Sequence, residues 1–253
     1  MPTPSLSPDG GASHPQIRHL LAALGEEEVA AAVAERHESA TIPDTFLESR
    51  ARRQPVARPR QAAVLILLSD TDSPDLTFVE RAATLRHHPG QIAFPGGGID
   101  PGESAVQAAL REAHEEIRLE PHHVRPHRVV PASNVAASMF DVAAVVGTWD
   151  GTAPIGVGDP GEVAAIHRFA ITDLADPDNR LLATLPGGYQ GPAFTMGEIF
   201  LWGFTANLVS HVLDLGGWSR PWSRSRLAEV PERFLRDARR GSGPARTWAD
   251  SAE

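Results

Sequence analysis

Residues 97–119 read GGIDPGESAVQAALREAHEEIRL, and their spacing predicts a glycine-rich loop running into a helix with an acidic side. Ser104 is placed as the N-cap, and Gln107, three residues on, completes a capping box. Val106, Leu110, Ala113 and Ile117 recur at steps of four, three and four, which gives one apolar stripe. Glu112, Glu115 and Glu116 fall beside it, toward one edge. Like charges at that spacing repel by about 0.2–0.5 kcal/mol per pair. A wet surface tolerates this, and an EXXEE fragment alone is more often a solvated face than a site. A divalent cation among the oxygens reverses the sign. Magnesium prefers oxygen ligands, usually one or two carboxylates with waters and substrate phosphate. Glu112 and Glu116, four apart, can reach one ion from one helix face. Glu115 lies close enough to hold a second ion or a water.

Outward from this helix, AAVLILL (62–68) has the continuous apolar character of a strand buried on both faces. SDTDSPD (69–75) is turn chemistry, and LTFVERA (76–82) reads as the partner strand of a wide hairpin. Arg86 to Ser104 reads as loop. HRVVPAS (127–133), MFDVAAVVGTW (139–149) and VAAIHRFAI (163–171) read as further strands. Residues 198–215 read as a second helix, ended by Gly216 and Gly217. That order predicts an α/β (α+β) fold with a mixed β-sheet sandwiched between helices. The expected organisation is an N-terminal extension over 1–57, a main domain over 58–220 and a tail over 221–253. In the extension, 1–15 reads as disordered, 16–36 as one or two short helices around Gly25, and 48–60 as a basic, proline-broken linker. The tail offers a short amphipathic helix within 224–240.

Bulk composition narrows the function. The chain has 253 residues and a net charge of −9, which argues against a general nucleic-acid binder. It has no cysteine, so disulfides and thiolate zinc sites are excluded. All 23 basic residues are arginine, so a P-loop of the GxxxxGK type is excluded too. No run of about 18 apolar residues is present, so no membrane span is expected. The N-terminus lacks a signal-peptide pattern, and the cytoplasm is the default location. GVGDPG (156–161) spells a dinucleotide fingerprint, but Pro160 and the strand pattern after it predict a plain loop.

Gly97, Glu103, Arg111-Glu112, Glu115-Glu116 and Leu119 stand in the register of the Nudix box, GX5EX7REUXEEXGU, which this stretch resembles. Ala113 is small for the first aliphatic position, and Arg118 stands where the motif has its last glycine. Upstream, RAATLRHHPGQIAFPGGGID (81–100) resembles the signature of the coenzyme A pyrophosphatase branch. That signature runs R-[SA]-x3-R-x3-G-x-[VI]-[AS]-F-P-G-G-x-x-D. RQAAVLI (60–66) and FLWGFTANL (200–208) also look like that branch, so the likeness covers roughly 58–218.

The resemblance implies a Nudix fold and a divalent-metal hydrolase using Mg2+ or Mn2+. Its substrate would be coenzyme A or a derivative, split into 4′-phosphopantetheine and adenosine 3′,5′-bisphosphate. It implies metal ligation by Glu112, Glu116 and Glu115 with the Gly97 carbonyl, and Arg111 as the partner that orients these carboxylates. Glu115 or Glu162 would position or deprotonate the attacking water. Arg81 and Arg86 can bind phosphate groups through forked hydrogen bonds, and Gly96 permits a close backbone approach to oxygens. Phe94 is expected to pack in the core, and His87 and His88 to be loop residues, since magnesium prefers oxygen. The partner is a small molecule rather than nucleic acid or membrane, with a homodimer left open. Two alternatives stay open: a Nudix hydrolase of another diphosphate such as ADP-ribose, a dinucleotide or a nucleoside triphosphate, and a non-catalytic nucleotide-binding module.

Overall fold

The apolar run at 62–68 forms the middle of strand β1 (Arg60–Ser69), and each face of β1 feeds a different core. Successive strand side chains point to opposite faces. Ala63, Leu65 and Leu67 enter one buried cluster, while Ile66 and Leu68 enter another. The computed structural model describes residues 12–24, 60–135, 140–185, 188 and 190–235, with backbone only at 60, 131–135 and 140. The expected disorder over 1–11 and the helix and linker expected between residues 25 and 59 lie outside these.

In chain order the strands around β1 are β2 (Asp75–Arg81), β3 (Ile92–Ala93), β4 (Gly96–Gly98), β5 (Arg125–Val135), β6 (Phe140–Trp149) and β7 (Val163–Ala170). β1 runs parallel to β6 along its whole length, and β6 is antiparallel to β5. β4 takes the other edge of β1 over Ala62–Val64. The expected β1–β2 hairpin pairs only at Leu68↔Leu76. β2 then leaves to lie antiparallel to β7 and β3. A second sheet holds β8 (Arg180–Thr184), β9 (Gln190–Met196), β10 (Ile199–Leu201) and β11 (Leu227–Glu229) in the order β10-β9-β8-β11.

Four α-helices are described: α1 (Pro15–Ala23), α2 (Ala105–Ile117), the one-turn α3 (Ile171–Leu174) and α4 (Gly203–Leu215). The expected stripe of α2 packs on Ala63, Leu65, Leu67 and Val145 of the first sheet. On the opposite face, Ile17, Leu20 and Leu21 of α1 join Val209, Val212 and Leu213 of α4 and Phe194 of β9. The sheet is thus mixed and lies between helices, as the sequence predicts.

Several details differ. The helix expected over 198–215 begins only at Gly203, because Ile199, Phe200 and Leu201 pair with Met196, Thr195 and Phe194 as a strand. The long loop after Arg86 contains two short strands, β3 and β4. In the tail, 227–229 is a strand beside β8 and 232–234 a single 3-10 turn, so no amphipathic helix forms over its described part. Elements on both sides of the 58–220 span share its cores, since α1 and Phe234 are buried against it. Residues 12–14 are ordered by Asp70, whose carboxylate accepts from Ser13 N, Ser13 Oγ and His14 N at 2.7–2.9 Å.

Candidate metal and phosphate site

Helix α2 starts as its sequence predicts. Gln107 N donates to Ser104 Oγ at 3.3 Å, and Ser104 N donates to Gln107 Oε1 at 2.8 Å. It ends in the left-handed turn the motif calls for, although Arg118 replaces glycine: Arg118 has φ 56° and ψ 22°. A second segment seals that end. Gly156 N donates to Ile117 O at 3.0 Å and Gly158 N to Glu116 O at 2.9 Å, satisfying carbonyls that a helix C-terminus leaves open. A Cβ on Gly158 would sit 1.7 Å from the Glu115 carbonyl oxygen, so only glycine allows this approach. The GVGDPG stretch is therefore a loop, followed by strand β7 rather than a helix.

The glycines of β4 bring backbone against the carboxylates. A Cβ on Gly97 would lie 2.4 Å from Glu112 Oε1. Gly96 N donates to Glu116 Oε2 at 3.0 Å. Glu116 is only 3% exposed, deeper than the edge position read from the helix pattern. Its burial pushes its pKa up to about 7; the nearby Glu112 and Glu162 charges add to the rise, while Gly96 N–H and Arg81 oppose it. Burial also raises Glu112, against the pull of Arg111.

Arg111 holds the surrounding carboxylates. Its Nε and Nη2 donate to the two Glu103 oxygens at 3.0 and 3.1 Å. Its Nη1 reaches Glu112 Oε1 at 2.9 Å and Glu115 Oε2 at 3.1 Å, and Nη2 also donates to Gly98 O at 2.9 Å. The forked guanidinium accounts for the Glu103–Arg111 spacing of eight, which the sequence marks without assigning a contact. The Arg111 hydrogen bonds hold Glu103 below its ordinary carboxylate range.

Glu115 and Glu116 open on a cleft of about 310 Å³, with Gly158, Asp159 and Glu162 on its far wall. Glu162 thus faces the helix carboxylates, 46 residues from Glu116 in sequence. Asp159 is a wall residue that no spacing rule in the sequence picks out. Arg81 stands at the end of β2, beside a register shift, with its Nε buried and unpartnered. Arg86 is exposed on the loop between β2 and β3, as are His87 and His88. Phe94 is buried and stacks on Phe78 at 4.7 Å, as expected of a core residue.

The donors suit a hard divalent cation. They are all oxygens, two of the carboxylates have raised pKa values, and a nearby positive charge would relieve both. Among the described residues no group of three or more acidic or histidine side chains is gathered to hold a metal ion by itself.

A model of the NUDIX domain matches residues 59–185. An uncharacterized Nudix hydrolase, NudL, of Pectobacterium atrosepticum is 34% identical over 179 residues, covering 66% of this chain and 88% of that protein. The NudL of an Enterobacter species is 47% identical over 89 residues, 35% of this chain and about half (46%) of its own length. Among solved structures, the Nudix hydrolase RenU of M. smegmatis aligns with a TM-score of 0.46 at 19% identity, over 66% of this chain and 91% of that one. The chain belongs to the Nudix hydrolase family.

Proposed function

We propose that this protein hydrolyses the pyrophosphate bond of coenzyme A and its derivatives, in a divalent-metal-dependent reaction. The products are 4′-phosphopantetheine, with any acyl group retained, and adenosine 3′,5′-bisphosphate. The observation that carries the substrate is Arg81, a residue of the coenzyme A signature, whose buried, unpartnered Nε belongs to a side chain whose charge reaches Glu116. An arginine donor left without a partner beside carboxylates suits a phosphate oxygen.

Glu112 and Glu116, with Glu115 and the Gly97 carbonyl, would hold magnesium or manganese, which when bound polarises phosphorus and neutralises phosphate charge. The protein's own groups do the rest. Arg111 fixes the orientation of Glu112 and Glu115, its Nη1 bridging the two and offsetting their repulsion. Arg81, with Arg86 on the adjoining loop, binds the phosphates and holds the diphosphate in line. Water attacks phosphorus, its proton passes to a carboxylate, and the bridging P–O bond breaks to release the second phosphate. Glu115 gives one oxygen to Arg111, so Glu162 on the facing wall is the better-placed base. The substrate is a small molecule, and we place the reaction in the cytoplasm. No helix among the described residues is long and apolar enough to cross a membrane.

A substrate panel read by mass spectrometry tests this. Coenzyme A should be cleaved much faster than dephospho-coenzyme A, since the 3′-phosphate gives the arginines a further anion. Preferential cleavage of ADP-ribose or a dinucleotide would move the same chemistry to another diphosphate. Binding without any magnesium-dependent cleavage would make the protein a nucleotide-binding module.

A further inference from the structure

The C-terminal segment reaches the substrate loop. Phe234 is 4% exposed and packs among Leu181, Phe200 and Val230 at the second sheet, its ring 6.5 Å from that of Trp202. Its outer edge meets the neck of the loop that carries Arg86. A Cβ on Gly90 would stand 3.7 Å from Phe234 Cε1, an ordinary packing contact. Gln91 Nε2 donates to the Phe234 carbonyl at 3.4 Å. Gly90 and Gln91 are also the residues that fix the Arg81 backbone: Arg81 N donates to Gln91 O and Gly90 N to Arg81 O, each at 3.0 Å.

We propose that Phe234 is a positioning residue for substrate, wedged under the neck of the Arg81–Gln91 loop so that both arginines are held ready for the phosphates. The inference rests on the reading of Arg81 and Arg86 as phosphate-binding residues. A loop closed by two backbone bonds and carrying an exposed arginine loses freedom when it grips a ligand, and that loss subtracts from affinity. A buried aromatic ring against its base removes part of the loss beforehand. The helix carboxylates are held elsewhere, on Arg111 and β4, while Glu162 is fixed from two sides, its N–H donating to Asp159 O at 3.1 Å and its carbonyl accepting from Ala82 N at 2.7 Å. Phe234 touches the loop at Gly90 and Gln91, on the side away from the Ala82–Glu162 bond, so loosening the wedge acts on binding before it acts on turnover.

The test is steady-state kinetics of the full chain on coenzyme A with saturating magnesium. Phe234→Ala should raise KM about five- to tenfold with kcat within about twofold, and narrow the preference for coenzyme A over dephospho-coenzyme A. Phe234→Leu should recover most of the KM. A merely structural role predicts the opposite split, a lower Tm and active fraction with KM unmoved, and that result overturns the proposal. Should Phe234→Ala fail to fold, Gln91→Met removes the loop's hydrogen bond to the Phe234 carbonyl, along with its bond to His88 Nδ1, and leaves the buried cluster intact. Its KM should rise about threefold, and an unmoved KM there overturns the proposal equally. If the wild type leaves coenzyme A uncleaved, the substrate assignment fails. The same KM comparison, or a Kd for a binding module, is then made on the diphosphate the wild type does take, and an unmoved value sinks the wedge by itself.

Discussion

Glu116 is the residue where burial and charge conflict. Helix α2 places it on the packed face, Gly96 N–H gives it one donor, and Glu112 and Glu162 add repulsion. Such a position is poor for stability and suited to a cation site. Glu116→Gln keeps the volume and removes the charge. Turnover should fall by on the order of 10³ or more while the metal-free fold is no less stable; a near-normal rate would remove Glu116 from the ligand set. Arg118 presents the reverse case, a strained residue that nothing in the site uses. A non-glycine residue in the left-handed region costs about 1–2 kcal/mol, and glycine returns part of that gain as unfolded-chain entropy. Arg118→Gly should therefore raise stability by up to about 1 kcal/mol with activity unchanged, as read by denaturant melts. A destabilised variant would show that the arginine side chain contributes more than its backbone strain removes.

At the scale of elements, the site is a helix end clasped by a loop. Gly156 and Gly158 lie on the last carbonyls of α2, and the same loop carries Asp159 and Glu162 to the cleft. A methyl group on Gly158 would meet the Glu115 carbonyl, so the loop must lift and carry Glu162 away. Gly158→Ala should lower stability by about 2 kcal/mol and turnover by a larger factor than stability explains; a normal rate would separate Glu162 from the chemistry. Helix α2 was legible in the sequence because everything that defines it is local: a cap at Ser104, a partner at Gln107, a stripe of period 3.6. The clasp was not, because Gly158 has meaning only against a carbonyl 43 positions earlier. Strand β10 was absorbed into the helix pattern for the same reason. Ile199–Leu201 is apolar under either period, and only β9 beside it decides. Strand β11, three residues long, has no signature apart from its pairing with β8.

For the molecule as a whole, the acidic cleft links metal, proton and fold. A carboxylate whose folded pKa lies above its unfolded value binds more protons when folded. Its contribution to stability is therefore largest at low pH and falls as pH rises from the unfolded value of 4.5 through about 7. Glu112, also raised, acts in the same direction. The metal-free protein should lose stability across that window and level off above it, and Glu116→Gln should flatten the slope. A divalent cation binds the ionised form and must displace the proton below pH 7, at about 1.4 kcal/mol per pH unit. At pH 8, magnesium at about 100 times its Kd should add about 2.7 kcal/mol, or roughly 5–10 °C in Tm for a chain of this size. At pH 6 the same concentration should give a clearly smaller shift, and in Glu116→Gln almost none at either pH. Thermal melts with and without magnesium at the two pH values decide it. Equal shifts at pH 6 and pH 8 would mean that the ion binds somewhere other than the buried carboxylates of α2, and the absence of any shift that the cleft does not take magnesium.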